Sequence, residues 1–390
     1  MAGRPRTSDP PPPRLQGQRL VQPLLKLIPR LHHVGVERDH AGNRKLFYDQ
    51  YVTLLLMYFC NPALDSLRAL QQATGWEKTR QTLGIERAAL GSLSEAARVF
   101  DAERLRPILQ ELALQAVPLT TGREAEALHG LTAVDGSIFP ALTRMAWALW
   151  QDAAHRGVKL HLHFDVLTGV PADATVTPAA CSEGAALADA LQSGRLYVLD
   201  RGYADYELFA RIVTAKSSRI ARVKDSTAFV VQEERPVTAA AKAAGVVRDV
   251  VISRLGTSHH KDHLKHAMRL VIVRTVARDG KATELWLLTD RLALDAELVA
   301  LAYRYRWSVE LFFRWLKCVL GARHLLATNR NGVTLQMYAA LIVSLLIGLR
   351  TGRKPTKRTF EMIQFQLLGG VSDAEFDAHL GALPAAKTTR

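Results

Sequence analysis

The hydrophobic period of this chain changes near His129, and that change does most to limit its fold. Before it, apolar residues recur every three or four positions, in VQPLLKLIPRL, LFYDQYVTLLLMYF and PALDSLRALQQATGW. That spacing lays an apolar stripe along a helix. After it, GLTAVDGSIF, VKLHLHFDVL and PADATVTPA alternate apolar and polar residues, as half-buried strands do, with a turn at Thr168-Gly169. CSEGAALADALQ then reads as a helix, RLYVLD as an apolar strand and ADYELFARIVTAK as another helix. Three strands, a helix, a strand and a helix predict a mixed α/β layer. Strands dominate again from Arg219 to about Thr289 (RIARVK, AFVVQ, VRDVVISRL, MRLVIVRTV, ELWLLT). A long amphipathic helix from Asp295 to about Leu320 follows, then the apolar run Val333–Leu349 and one short C-terminal helix.

The predicted organisation is therefore an all-α N-terminal domain ahead of an α/β region. Residues 1–19 form a basic, Pro-rich disordered arm, because Pro10 to Pro13 forbid a helix, and residues 20–128 are helical. Residues 129–218 and 290–350 are two parts of a mixed-sheet core, 219–289 is a β-rich stretch between them, and 351–390 is a basic tail with a short helix. Small helices broken at Gly84 and Gly91, with Ser92 or Ser94 as an N-cap before Glu95, suit either a helix-turn-helix DNA reader or an ordinary bundle.

Charge narrows the partners. With 51 Lys and Arg against 37 Asp and Glu, the chain carries +14, and nucleic acid leads membrane surface as the anionic partner. The apolar runs Tyr51–Cys60 and Met337–Leu349 fall short of the ~20 residues of a membrane span and read as buried core helices. The N-terminus has no apolar signal region, and Cys60, Cys181 and Cys318 lie too far apart for a disulfide scaffold or a Cys-based zinc site. The expectation is a cytoplasmic protein with no membrane partner.

Three carboxylates stand out. Asp135 sits inside the first strand, where an ionised group belongs only if it faces a cleft, and Asp200 ends an apolar strand, where α/β sheets gather ligands. Glu310 lies on the late helix, and Tyr303, Arg306, Glu310 and Lys317 fall within an arc of roughly 60° on it. Hard oxygen ligands suit Mg²⁺, and two such ions can activate a water or a 3′-hydroxyl and stabilise the leaving oxygen of a phosphodiester. Arg306 and Lys317 beside Glu310 suit phosphate clamps; the other reading is an exposed face with an (i, i+4) pair.

The spacing Y-x-x-R-x-x-x-E-x-x-x-x-x-x-K, with VDGS around Asp135 and DRGY around Asp200, resembles the signature of bacterial insertion-sequence DDE transposases, over about residues 130–350. The resemblance implies an RNase H-like fold with the first Asp on a central strand, the second after the fourth strand and the Glu on a later helix. It implies that 219–289 is an insertion domain, and that Asp135, Asp200 and Glu310 are catalytic residues holding two Mg²⁺ (or Mn²⁺) ions. Double-stranded DNA, as terminal inverted repeats and target, would be the substrate, with a homodimer in the synaptic complex. Trp286, in LWLLT, resembles a Trp that stacks on a flipped base; a Trp in a β-domain core is the other reading. A metal-dependent nuclease of the same fold, or an inactive transposase-derived DNA-binding protein, are the alternatives.

Other polar residues read as structural. His259, His260, His263 and His266 suit a solvated or DNA-facing loop, and His161 and His163 an outward strand face. Asp165 and Asp173 suit hairpin-turn chemistry, Cys318 suits the core, and Asp290 is the substitute if Asp200 fails.

Overall fold

A computed structural model describes residues 18–35, 44–150, 155–256, 266–276, 280 and 282–383. Of the expected arm over 1–19, residues 1–17 lie outside the described residues, as do His259, His260 and His263, while Gln18 and Arg19 open the first helix. Seven helices come first: α1 (Gln18–Leu25), α2 (Tyr48–Cys60), α3 (Leu67–Ala73), α4 (Glu77–Leu83), α5 (Leu90–Val99), α6 (Leu105–Ala113) and α7 (Arg123–Ala127). Next come β1 (Leu131–Pro140), β2 (Gly157–Asp165), β3 (Val170–Pro178), α8 (Glu183–Asp189), β4 (Leu196–Leu199), α9 (Tyr206–Thr214) and β5 (Ser218–Val223). β6 (Phe229–Glu234), α10 (Ala239–Ala243), β7 (Val246–Leu255), β8 (Met268–Val276) and β9 (Ala282–Thr289) follow. The chain ends in α11 (Ala296–Tyr305), α12 (Trp307–Cys318), α13 (Arg330–Thr351), α14 (Lys357–Leu367) and α15 (Asp373–Ala382).

Among the described residues nine strands join one sheet, in the order β3-β2-β1-β4-β5-β9-β8-β7-β6. β1, β4 and β5 run parallel, β2 pairs antiparallel with β1, and β3 pairs antiparallel with β2. The strand-rich stretch 219–289 is continuous with this sheet, because β9 returns antiparallel to β5.

α13 is buried on every side, and it organises the rest. It is the one helix among the described residues long and apolar enough to cross a membrane, and its run Val333–Ile347 is instead enclosed by protein. A helix apolar all round must be buried all round. α1, α2, α5 and α6 cover it on one side and β3 on the other. Gly332 allows the closest approach, since a Cβ there would lie 2.8 Å from the Ala97 Cβ on α5. The Asn331 side chain ties the same helices together, donating to the Ala97 and Phe100 carbonyls and accepting from the Ala102 N–H. The N-terminal helices thus share one apolar core with α13 and the sheet.

Several local expectations change. α5 begins at Leu90 after Ala89, so Ser92, Ser94 and Gly91 lie inside the helix and cap nothing. Gly84 does end α4, in the left-handed conformation. The C-terminal segment holds two helices, capped by Thr356 and Ser372. The expected long helix over 295–320 is two, α11 and α12, interrupted at Arg306, where i→i+3 bonds replace the regular pattern.

Candidate active site

Parallel register brings the first two carboxylates together. β1 pairs with β4 through Leu131↔Leu196, Thr132↔Tyr197 and Ala133↔Val198. Extending that register by two positions leads to Asp135 on β1 and to Asp200 just past the end of β4, on neighbouring strands ~4.8 Å apart. β4 ends at Leu199, so Asp200 leaves the sheet and caps the short DRGY turn, accepting from the Gly202 N–H at 2.7 Å. Asp135 accepts from the Gly136 N–H at 2.9 Å. It alternates onto the same face as Leu131 and Ala133, toward α12, which packs on β1.

Burial pushes the Asp135 carboxyl up to about 6. The Gly136 N–H and the Arg306 guanidinium oppose that rise, and the negative charges of Glu183 and Asp200 add to it. Arg306, half-buried at the α11–α12 break, donates to Glu310 Oε1 at 2.7 Å and lies over the Tyr303 ring, 5.9 Å from its centroid. Lys317 turns toward β1: its Nζ donates to the Ile138 carbonyl at 2.7 Å and sits 4.6 Å from the centre of the Phe139 ring. Burial lowers its pKa. Trp286, half-buried on β9, meets Phe229 edge to face at 5.5 Å, and its indole N–H is buried without a partner.

Sequence reasoning missed two groups. Glu183 opens α8 on the opposite face of β1, and a Cβ at Gly136 would lie 2.6 Å from its Oε1. The Tyr203 hydroxyl is buried with no hydrogen-bond partner, and its pKa is raised by burial, then by Glu183, Asp135 and Asp200. The signal for Tyr203 was present in DRGY; Glu183 gave none, because a Ser-Glu pair reads simply as a helix start.

The carboxylate oxygens of Asp135 and Asp200 are hard donors of the kind a divalent cation takes, and the charge of Asp200 acts on the Asp135 carboxyl. Among the described residues, no three His, Cys, Asp or Glu side chains are grouped closely enough to form a metal cluster. Glu310 is held by Arg306 instead.

The family model described as "Transposase DDE domain" matches residues 126–346, spanning all three acidic segments. The chain belongs to the DDE transposase family. A Sinorhizobium fredii protein named as a transposase, y4zB, is 29% identical over 286 residues, covering 72% of this chain and 78% of that one. A Geobacillus stearothermophilus protein named as the transposase of insertion sequence element IS5377 is 26% identical over 265 residues, 68% of each. A cryo-EM structure of a piggyBac transposase synaptic complex with hairpin DNA aligns with 96% of this chain and 83% of that chain, with a TM-score of 0.40 and 10% identity.

The remaining polar candidates of this transposase are structural. Asp290 accepts from the Arg219 N–H at 2.8 Å and lies 3.5 Å from the buried Arg219 guanidinium, so it is bound up in holding β5 to β9. Asp165 does serve its turn, accepting from the Thr168 N–H at 3.0 Å. Asp173 does not: it is buried on β3 and paired with Arg106 through two 2.7 Å bonds. His161 and His163 are buried, not outward, because β2 is an interior strand covered on both faces. Burial lowers both imidazoles to about 4, so they are neutral. Cys318 is exposed, since α12 buries the face carrying Val309, Phe312, Phe313 and Leu316.

Proposed function

We propose that this transposase serves a bacterial insertion sequence by cut and paste, binding the terminal inverted repeats, hydrolysing the DNA at the element end and joining the freed 3′-hydroxyl to target DNA. It acts in the cytoplasm on nucleoid DNA, as a homodimer in the synaptic complex. The observation that carries this is the parallel pairing of β1, which holds Asp135, with β4, which ends one residue before Asp200, together with the packing of the Glu310 helix on β1. The sheet order β3-β2-β1-β4-β5, with Asp135 central and Asp200 after the fourth strand, supports an RNase H-like core.

In this reading Asp135, Asp200 and Glu310 hold two Mg²⁺ or Mn²⁺ ions, which when bound supply an activated water or 3′-hydroxyl and stabilise the leaving oxygen. Glu310 must first be released by Arg306. The incoming phosphate backbone provides the exchange, because a guanidinium can pass from a carboxylate to a phosphate with two parallel hydrogen bonds. Lys317, near the Asp135 strand, clamps a second phosphate, and Tyr303 packs beneath Arg306. Trp286 stacks on a base drawn from the duplex, and the helices within 20–128 read the repeat.

The test uses the purified full chain and linear DNA carrying an element end, identified by inverted repeats flanking the reading frame. Mg²⁺ or Mn²⁺ should support cleavage and strand transfer, and Ca²⁺ should support binding alone, because its longer, looser coordination misplaces the nucleophile. Equal cleavage in chelator would remove the metal from the reading.

A further inference from the structure

Arg222 is half-buried on β5, and it makes no hydrogen bond, ion pair or ring contact among the described residues. Nearby arginines are matched. Arg219, three residues earlier on the same strand, lies 3.5 Å from Asp290 and 4.5 Å from the centre of the Phe209 ring. Arg269 on β8 is bonded to both Asp249 oxygens, and Arg306 is bonded to Glu310. A guanidinium holds five donors in a planar fork and keeps its charge, so one partly withdrawn from water favours an anion beside it. The position of Arg222 says which anion. β4 and β5 run parallel, with Leu199 opposite Ala221, and Asp200 and Arg222 are the next residues on these two neighbours. Alternation puts Arg222 on the same side of the sheet as Ile220, which shares its apolar core with Leu131, Ala133, Leu196 and Val198. Asp135 alternates to that side too, and α11 and α12 pack on it. Ala221 and Val223 belong to the core on the other side. Across the adjacent strands β1, β4 and β5, the order is therefore Asp135, then Asp200 just past the end of β4, then Arg222.

We propose that Arg222 is a substrate-binding residue that grips a backbone phosphate of the DNA strand lying beside Asp200. This rests on the DNA-cleaving reading above. A phosphodiester is the anion that such a reaction brings to this side of the sheet, and its two non-bridging oxygens match the guanidinium fork. Two parallel hydrogen bonds fix the strand's path past the carboxylates without reading its sequence. Arg306 is held by Glu310 in the DNA-free protein, whereas Arg222 has no partner to give up before it takes a phosphate.

The test pairs protein variants with altered DNA, using the full chain and element-end DNA. Binding is measured in Ca²⁺ and single-turnover cleavage in Mg²⁺. Phosphates on either side of the cleavage site are replaced one at a time by neutral methylphosphonates. At one of these positions the replacement should weaken binding to the parent about ten-fold, the size of a charge-assisted contact. Arg222→Gln should bind unmodified DNA weaker by about the same factor and be insensitive to that replacement. Arg222→Lys keeps the charge but loses the fork, so it should recover part of the loss and respond to the replacement less than the parent does. Arg254→Gln, at an exposed position on β7, is the control and should follow the parent at every position. Thermal unfolding checks the fold, and Arg222→Lys carries the test if Arg222→Gln melts early. If the folded Arg222 variants lose as much as the parent at every replaced phosphate, or if no replacement affects the parent, the contact is overturned while the cleavage reading stands. If the parent neither prefers element-end DNA nor cleaves it in Mg²⁺, that reading fails and takes this proposal with it.

Discussion

Asp173 on β3 and Asp249 on β7 are each met by an arginine that offers two parallel donors. Arg106 reaches Asp173 with two bonds of 2.7 Å, and Arg269 reaches Asp249 at 2.7 and 2.6 Å. Asp135 and Asp200, in the middle of the same sheet, accept from backbone amides instead, and the charge of Asp200 raises the Asp135 carboxyl further. Buried carboxylates that hold a fold together are neutralised in place by a guanidinium of matching geometry. Those in the candidate site keep an excess of negative charge, and a cation from outside is what would offset it. The contrast separates structural from chemical acid groups without reference to any relative.

The sharpest way to break this comparison is to neutralise each kind. Asp135→Asn, Asp200→Asn and Glu310→Gln should each reduce strand cleavage to background while repeat binding persists and none melts below the parent. A cleaving Asp200→Asn variant would sink its assignment, and the Asp290 fallback is already engaged with Arg219. Asp249→Ala should do the reverse. It leaves the Arg269 guanidinium, 3% exposed, without its main partner, and costs roughly 3–5 kcal/mol of stability in a denaturant titration. An Asp249→Ala protein that unfolds like the parent would show that the buried pair contributes nothing distinctive.

A subtler test uses the sign of the Asp135 effect. Burial raises its carboxyl from 3.8 to about 6, so its favourable contribution is complete below the lower value and lost as pH rises through the upper one. At pH 7.5 in chelator the folded parent therefore carries a buried charge that Asn would not. Asp135→Asn should raise stability there by roughly 1–2 kcal/mol, allowing for partial exposure, and the gain should vanish below about pH 4. Asp249→Asn should lower stability under the same conditions. If both asparagines shift the melting temperature in one direction, the two groups of carboxylates are not distinct.

Much of this was legible in the sequence, and the losses have physical causes. The alternating periods located β1 to β5, and Asp135, Asp200 and Glu310 stood out as charges in apolar surroundings. What periodicity cannot convey is which strand becomes interior. That is why His161 and His163, polar and alternating, were expected to face outward and are enclosed. It also cannot convey partners distant in sequence: Asp173 looked like turn chemistry because Arg106, 67 residues earlier, is brought to it only by α6 packing on β3. The 219–289 strands were visible individually, but their continuity with the core sheet depends on β9 returning to β5. Glu183 was hidden because its contact with Gly136 joins α8 to β1 across the sheet.

The smallest expected effect concerns the Tyr303–Lys317 face, and it asks whether its cations belong with the site or with the basic surface. Arg306 is bonded to Glu310, and Lys317 to the Ile138 carbonyl of the Asp135 strand, whereas Arg304 and Arg314 are exposed. Arg304→Ala and Arg314→Ala should leave cleavage at fixed salt close to the parent's. Arg306→Ala and Lys317→Ala should impair cleavage clearly more. If each also loses a phosphate contact, its salt slope for specific DNA binding should fall by ~1, through counterion release. Lys317→Ala has an added consequence, because the Ile138 carbonyl loses its donor and the carboxyl-terminal half of β1 is less firmly held. Its cleavage should therefore fall further than its DNA affinity, while for Arg306→Ala the two should fall more nearly together. Equal behaviour of all four variants would make the face a basic surface with no special relation to Glu310.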